Sequence, residues 1–344
     1  MFRKAVIVII TLVAAVVASS ATTASGSAAP DVATPAPSVG AVPDLDVPGP
    51  YRVTASAPVS PCRGPGAAEQ IRSVREQGAR SPLLCTDAAP IGRGPDRGVD
   101  LYLPEGAPGA RPLIVFVAGS GANPGYFVRT VTHWASHGFV VAVAYDAREI
   151  APESTFAGIR RAVAADADPT SPAHGRIDTG RVVLAGHSAG AAKALEAASL
   201  VAAPPPTAIT DRIPLTVPAG VRVVGVLAVA PDIYTVVGRF HVPTLVTSGS
   251  EDRTARPEVL RPLLIDRLAA PTWFVVARGN QHLVAIDPVS DYPLTRIQLA
   301  FLEFVTGDST RCPDFVGDAP TVLTDPALTL SVRTAAARSL SCAR

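Results

Sequence analysis

The sequence predicts a doubly wound, mostly parallel α/β sheet, and three observations carry that prediction. Apolar runs at residues 113–117, 139–144, 182–185, 221–229, 244–247 and 272–277 are continuously hydrophobic, not alternating, as strands covered on both faces are. Helix-compatible segments at 126–137, 155–165, 189–202, 257–268 and 293–305 fall between them, and right-handed crossovers then wind a parallel sheet. Finally, Val182-Val183-Leu184-Ala185 stops at Gly186-His187-Ser188-Ala189-Gly190 and gives way to the helix former Ala191-Ala192-Lys193-Ala194-Leu195.

Each element follows from its neighbours. The strand–Gly-x-Ser-x-Gly–helix order is the context of a nucleophile elbow. Small residues at Gly186 and Gly190 relieve the crowding of so tight a turn, and the strained backbone pushes the Ser188 hydroxyl into the open. The helix start behind it supplies free N–H groups and a positive dipole end. Residues 201–220, with Pro204-Pro205-Pro206, read as a loop before the next strand. Between Ala230 and Val242 the chain is too short for a cap domain, so no large cap and an open site are expected.

The chain has 344 residues, 48% of them hydrophobic, which suffices for one large core without a second domain. A formal net charge of +1 gives no electrostatic case for nucleic acid or an anionic membrane surface as partner. Phe2-Arg3-Lys4, an apolar stretch from Ala5 to Ala18 and small residues to Ala29 have the layout of a secretory signal peptide over residues 1–29. The apolar run falls short of the ~20 residues that span a bilayer. No cysteine near the cleavage region offers a lipid attachment point, so no membrane anchor is expected after cleavage. Residues 30–50, rich in Pro, Ala and Val, read as a flexible N-terminal segment before a single domain over 51–344.

Four cysteines, Cys62, Cys85, Cys312 and Cys342, suit disulfides in an exported chain. Three pairings are open. The sequence-local one, Cys62–Cys85 with Cys312–Cys342, closes two modest loops outside the strand-rich centre and is the one expected. The first pair falls in an apparent insertion near 56–95, and the second ties a C-terminal segment, 312–342. Their spacing is not that of a metal site, and neither metal nor cofactor is expected.

A serine hydroxyl needs a base to take its proton and a third group to hold that base in the right tautomer. In open parallel sheets such groups sit beyond the carboxyl ends of strands. The run 244–247 leads into Ser248-Gly249-Ser250-Glu251-Asp252, and 272–277 into Arg278-Gly279-Asn280-Gln281-His282. Asp252 and His282 therefore fall in the order Ser, Asp, His. Glu251 and Asp232 are rivals for the acid, and Asp252 could instead form an Asx turn or helix cap. His187 lies within the elbow, His133 and His137 on a helix, and His174 and His241 on loops before strands. The N–H groups for a developing oxyanion are expected from Ala189 and from Ser120 in the turn Ala118-Gly119-Ser120-Gly121.

The stretch Trp134-Ala135-Ser136-His137-Gly138-Phe139-Val140-Val141, Arg176-Ile177-Asp178 leading into the elbow, Glu251-Asp252 and His282 resemble secreted bacterial α/β hydrolases of the cutinase and poly(ethylene terephthalate) hydrolase type. Chlorophyllase and the platelet-activating-factor acetylhydrolases are more distantly similar. The resemblance spans residues 96–312 and implies an α/β-hydrolase fold and a secreted, cofactor-free carboxylic ester hydrolase, monomeric, acting on small-molecule or polymeric esters through an acyl-enzyme. By motif it makes Ser188 nucleophile, Asp252 acid and His282 base, with oxyanion N–H groups at Ser120 and Ala189; a cystine near the C-terminus is also usual in that group. Three features of its aromatic polyester cleft are missing. The oxyanion turn has no aromatic, Ala189 stands where Met is common, and Pro231-Asp232 replaces Pro-Trp. An acyltransferase with the same triad, or a non-catalytic binding protein on the same fold, are the other readings.

Overall fold

The computed structural model describes residues 45–342, apart from 64–66, 90, 148–150, 207–208, 210–212 and 233–236. The expected signal peptide, residues 1–29, and residues 30–44 of the segment expected to be flexible lie outside the described residues. The strands are β1 (Val53–Ala55), β2 (Ser60–Pro61), β3 (Leu84–Cys85), β4 (Arg97–Pro104), β5 (Arg111–Val117), β6 (Val140–Asp146), β7 (Ile177–His187), β8 (Val223–Val229), β9 (Thr244–Gly249), β10 (Thr272–Ala277) and β11 (Leu328–Arg333). The main helices are α1 (Ala67–Glu76), α2 (Val128–Ser136), α3 (Pro152–Ala167), α4 (Ala189–Ala202), α5 (Pro257–Leu263) and α6 (Thr295–Val305), followed by the short α7 (Cys312–Phe315) and α8 (Ala335–Arg338).

The large sheet runs β1-β4-β6-β5-β7-β8-β9-β10-β11. From β6 across to β10 neighbouring strands are parallel, whereas β1, β4 and β11 pair antiparallel at the flanks. All six apolar runs are strands and all five expected helices form. The continuous apolarity has the expected cause. Val115 and Phe116 are adjacent and both buried, one beneath α3 and α4 with Phe156 and Leu195, the other beneath α2 with Phe127 and Trp134. The chain between β8 and β9 holds no helix or strand among its described residues.

Three strands of the sheet were not apparent from the sequence, for physical reasons. β4 begins Arg97-Gly98-Val99-Asp100, and its first three residues are not buried. β11, Leu-Thr-Leu-Ser-Val-Arg, buries only Leu328. Flanking antiparallel strands need one apolar face, so they lack a continuous run. β1 is three residues long.

Both disulfides have the sequence-local pairing, Cys62–Cys85 and Cys312–Cys342, with Cα separations of 4.9 and 5.8 Å. On the chain-entropy model, loops of this size stabilise by ~3 kcal/mol each. The C-terminal segment also docks through its core. Trp273 on β10 donates from Nε1 to the Phe315 carbonyl at 2.8 Å and sits edge-on to Phe301 and Phe315.

The end of the segment expected to be flexible lies along α2. His133 and His137 each donate from Nε2, at 3.0 Å, to the carbonyls of Leu45 and Val47, and Gly49 N–H donates to Ser136 Oγ at 2.8 Å. A Cβ on Gly49 would fall 2.7 Å from His137 N, so the close approach requires glycine. Burial, and then the neighbouring His137, hold the His133 pKa down to about 4. An imidazole kept neutral in the fold but free to protonate when unfolded loses stability on acidification. The contribution is full above pH ~6.5 and disappears as pH falls through about 4. A displacement of that size is worth up to ~3 kcal/mol. His133→Gln should therefore flatten the fall in unfolding free energy between pH 6.5 and 4, measured by urea denaturation at several pH values; an unchanged slope would contradict this assignment.

Candidate active site

The site forms at the carboxyl ends of β7, β9 and β10. At the end of β7 the backbone of Ser188 takes φ 55° and ψ −124°, a left-handed conformation rare for a residue with a side chain. Such a residue costs of order 1–3 kcal/mol and persists only where its surroundings fix it. Here they do. Ser188 N–H donates to Val229 O at 2.9 Å, and Ser188 O accepts from Ala192 N at 3.1 Å and Asp232 N at 3.3 Å. Gly186 and Gly190 make the room: a Cβ on Gly186 would lie 2.7 Å from Ala191 N, and one on Gly190 2.6 Å from the Val117 carbonyl carbon.

The β9 and β10 loops are bonded to one another. Glu251 N donates to Asn280 O, and Ser250 N to Ala277 O, both at 2.9 Å, while Gly279 N donates to Ser250 Oγ at 2.8 Å. This brings Asp252 and His282 together. His282 Nδ1 donates to Asp252 Oδ2 at 2.8 Å, which leaves Nε2 to accept from Ser188 Oγ at 2.9 Å. Asp252 is 3% and His282 6% exposed, so the relay is shielded from water except at the serine. Burial pushes the Asp252 carboxyl up, but hydrogen bonds from His282, Ala255 N and Thr254 N outweigh it and hold it below the ordinary carboxylate range. The Asx turn weighed from the sequence is thus also present: Oδ1 takes the Thr254 and Ala255 N–H groups while Oδ2 takes the imidazole.

The acid bonded to His282 Nδ1 is Asp252, not either rival. Glu251 is exposed, and Asp232 meets Ser188 through its backbone N–H. His187, set aside in the sequence as part of the elbow, has a supporting place. Its buried ring donates from Nε2 to the His282 carbonyl at 2.8 Å and packs on Phe127 and His282. Burial, then the nearby His282, hold its pKa down to about 3, so it stays neutral while it positions the His282 loop. The spacing alone carries no signal for that contact, because the partner is a backbone atom 95 residues away.

Ala189 opens α4, so its N–H has no partner within the helix. Ser120 lies in a turn closed by Ala122 N donating to Gly119 O, with Gly121 at φ 66°. A Cβ on Gly119 would approach Ser188 Cβ to 3.2 Å, so this turn sits against the elbow. The cavity in front of Ser188 measures about 160 Å³ and is bounded by Ser120, Tyr126, His282 and Leu283. Gln70, Ser73 and Val74 of α1, with Gln77 just beyond its end, line another side. Residues 70–77, within the segment expected to be an insertion, therefore flank the site, which the sequence did not reveal. Among the described residues no group of three or more His, Cys, Asp or Glu side chains converges as a metal site would need.

A mostly parallel sheet with a strained serine between β7, the fifth strand of the large sheet in chain order, and α4 defines an α/β hydrolase. The sequence comparison agrees: the Alpha/beta hydrolase family matches residues 114–340, and the chain belongs to that family, whose members are generally hydrolytic enzymes. Comparison with curated proteins gives no match.

The packing at the elbow is open to a direct check. Gly190→Ala should lower stability by ~1–3 kcal/mol, because its Cβ overlaps the β5 carbonyls and the turn must open. Thermal unfolding of the oxidised protein would show a fall in Tm; a neutral or stabilising effect would contradict the crowding described.

Proposed function

We propose that this hydrolase is an exported serine esterase that cleaves carboxylic esters through an acyl-enzyme. The single observation that carries the reading is the hydrogen-bonded series from Ser188 Oγ through the His282 ring to Asp252. Ser188 Oγ attacks the ester carbonyl carbon while its proton passes to His282 Nε2. The bond to the leaving alkoxide breaks as that proton is delivered to it, leaving an acyl group on Ser188. Water, deprotonated by His282, then hydrolyses the acyl-enzyme. Asp252, held ionised, steadies the imidazolium and fixes the tautomer. The N–H groups of Ala189 and Ser120 receive the oxyanion.

Export rests on the leader-like residues 1–29 and on two disulfides, which persist in oxidising compartments. The likeness to cutinases and poly(ethylene terephthalate) hydrolases raises polyesters as substrates. The lack of an aromatic at Ser120 and of a tryptophan at Asp232, and a wall helix beside the serine, favour small soluble esters instead. A binding protein on this scaffold would have no need of a complete relay.

A fluorophosphonate probe should label Ser188, and Ser188→Ala should lose both labelling and p-nitrophenyl ester turnover. Turnover retained in Ser188→Ala would refute the reading. Asp252→Asn keeps an acceptor for the Thr254 and Ala255 N–H groups but donates to His282 Nδ1, forcing the wrong tautomer. Its kcat should fall by ~10⁴ with the fold intact by circular dichroism.

A further inference from the structure

The turn 119–122 lines the site cavity together with Ser188, and it is anchored at both ends. Upstream, Ala118 N donates to Ala144 O at 3.0 Å, so the turn leaves β5 from inside the sheet. Within it, Ala122 N donates to Gly119 O at 3.1 Å. Downstream, the anchor is the next residue, Asn123.

Asn123 is fully buried, and its amide is bonded on every side. Oδ1 accepts from Thr86 N and Gly125 N, each at 2.9 Å, and Nδ2 donates to Ala88 O at 2.9 Å and to Thr86 O at 3.3 Å. Two N–H donors and two lone pairs are the full capacity of the group. The bond from Gly125 caps the short 3₁₀ helix Pro124–Phe127. The other three cross to residues 86–88, in the segment expected to be an insertion. A carboxylate here would face two carbonyls with no proton to give, and an alkyl group would strand four backbone groups.

Residues 86–88 are themselves held. Cys62–Cys85 closes the loop before them, and β3 pairs with β2. The same segment presses on the start of the 3₁₀ helix. A Cβ on Gly125 would come 2.6 Å from both Cys85 Cα and Thr86 N, so only glycine permits the approach. Two independent features therefore mark one junction: four bonds through a single buried side chain, and a backbone contact with no room for a Cβ.

Taking the esterase reading as its basis, we infer that Asn123 is a positioning residue for the oxyanion turn. It passes the hold of the disulfide-closed segment to the end of the turn, and so fixes the place of the Ser120 N–H relative to Ser188. Its bonds leave from the residue directly after Ala122, whose N–H closes the turn. A turn loose at that end would let the donor drift by the ångström that catalytic geometry does not tolerate. Asn123 is buried away from substrate, and its effect passes through the backbone.

The test uses the oxidised full-length mature chain with butyl acetate as substrate, and kcat is taken per active site counted by fluorophosphonate titration. Asn123→Ala should lower kcat at least ~10-fold while KM stays within ~3-fold, because the donor acts on the transition state and not on the bound ester. The Ki of a trifluoromethyl ketone, whose adduct on Ser188 carries an oxyanion, should rise by the factor that kcat/KM falls. An amide that only ties the fold together would lower Tm and the number of titratable sites but leave kcat per site unchanged, and that result overturns the positioning role. Native-state hydrogen exchange on the wild type needs no variant and decides the matter should Asn123→Ala not fold. Ala122 N–H should open together with the Thr86 and Gly125 N–H groups, at one opening free energy. Ala122 opening far more readily than the other two would overturn the inference as well. An active wild type beside an unaffected Asn123→Ala leaves the esterase reading standing. A wild type with no labelling and no turnover of any ester overturns both.

Discussion

The site depends on one constraint, the left-handed backbone of Ser188 at the end of β7. An ordinary strand-to-helix connection would bury that hydroxyl beside the sheet. The positive φ turns it outward, and the conformation survives only because both peptide groups of the serine are bonded, to β8 and to α4. Ala230, at the end of β8, has φ 47°, and its N–H reaches Thr247 O at 2.7 Å. A second strained residue thus turns the chain where it must send Asp232 N back to the Ser188 carbonyl. Local strain at two adjacent strand ends is offset by sheet hydrogen bonds that continue on either side.

Once the hydroxyl is raised, the remaining geometry is a matter of holding an imidazole at the correct distance. Two loops could drift independently, so the fold joins them. Glu251 N meets Asn280 O, and Gly249 leaves space for that approach, since a Cβ there would overlap the Asn280 backbone. His187 fastens the same loop from below through the His282 carbonyl. The electrostatics agree with the geometry. A carboxylate held low in pKa by three hydrogen bonds is a fixed negative charge beside the ring, as the proposed relay requires.

Much of this was legible in the sequence, and the reasons are specific. Strands buried on both faces write themselves as unbroken apolar runs, so β5 to β10 could be read directly. The elbow and the proposed acid and base each follow such a run within a few residues, so strand position picked out Ser188, Asp252 and His282, which the structure brings into hydrogen-bond contact. The flanking strands β1, β4 and β11 were hidden because one-sided burial mixes polar residues into short segments. The wall helix was hidden for another reason. Gln70 and Ser73 look like a solvated surface of an ordinary amphipathic helix, and only the tertiary ties of Asp287, Leu283 and the Cys62–Cys85 bridge place that face beside the serine.

The most direct measurement of the central claim is rapid-quench mass spectrometry of the oxidised protein mixed with excess p-nitrophenyl acetate. The account predicts a burst of one p-nitrophenolate per chain and one acetyl group, located by peptide mapping on Ser188. Ester turnover with no trapped acetyl group on the enzyme, or an acetyl group on any other residue, would contradict it.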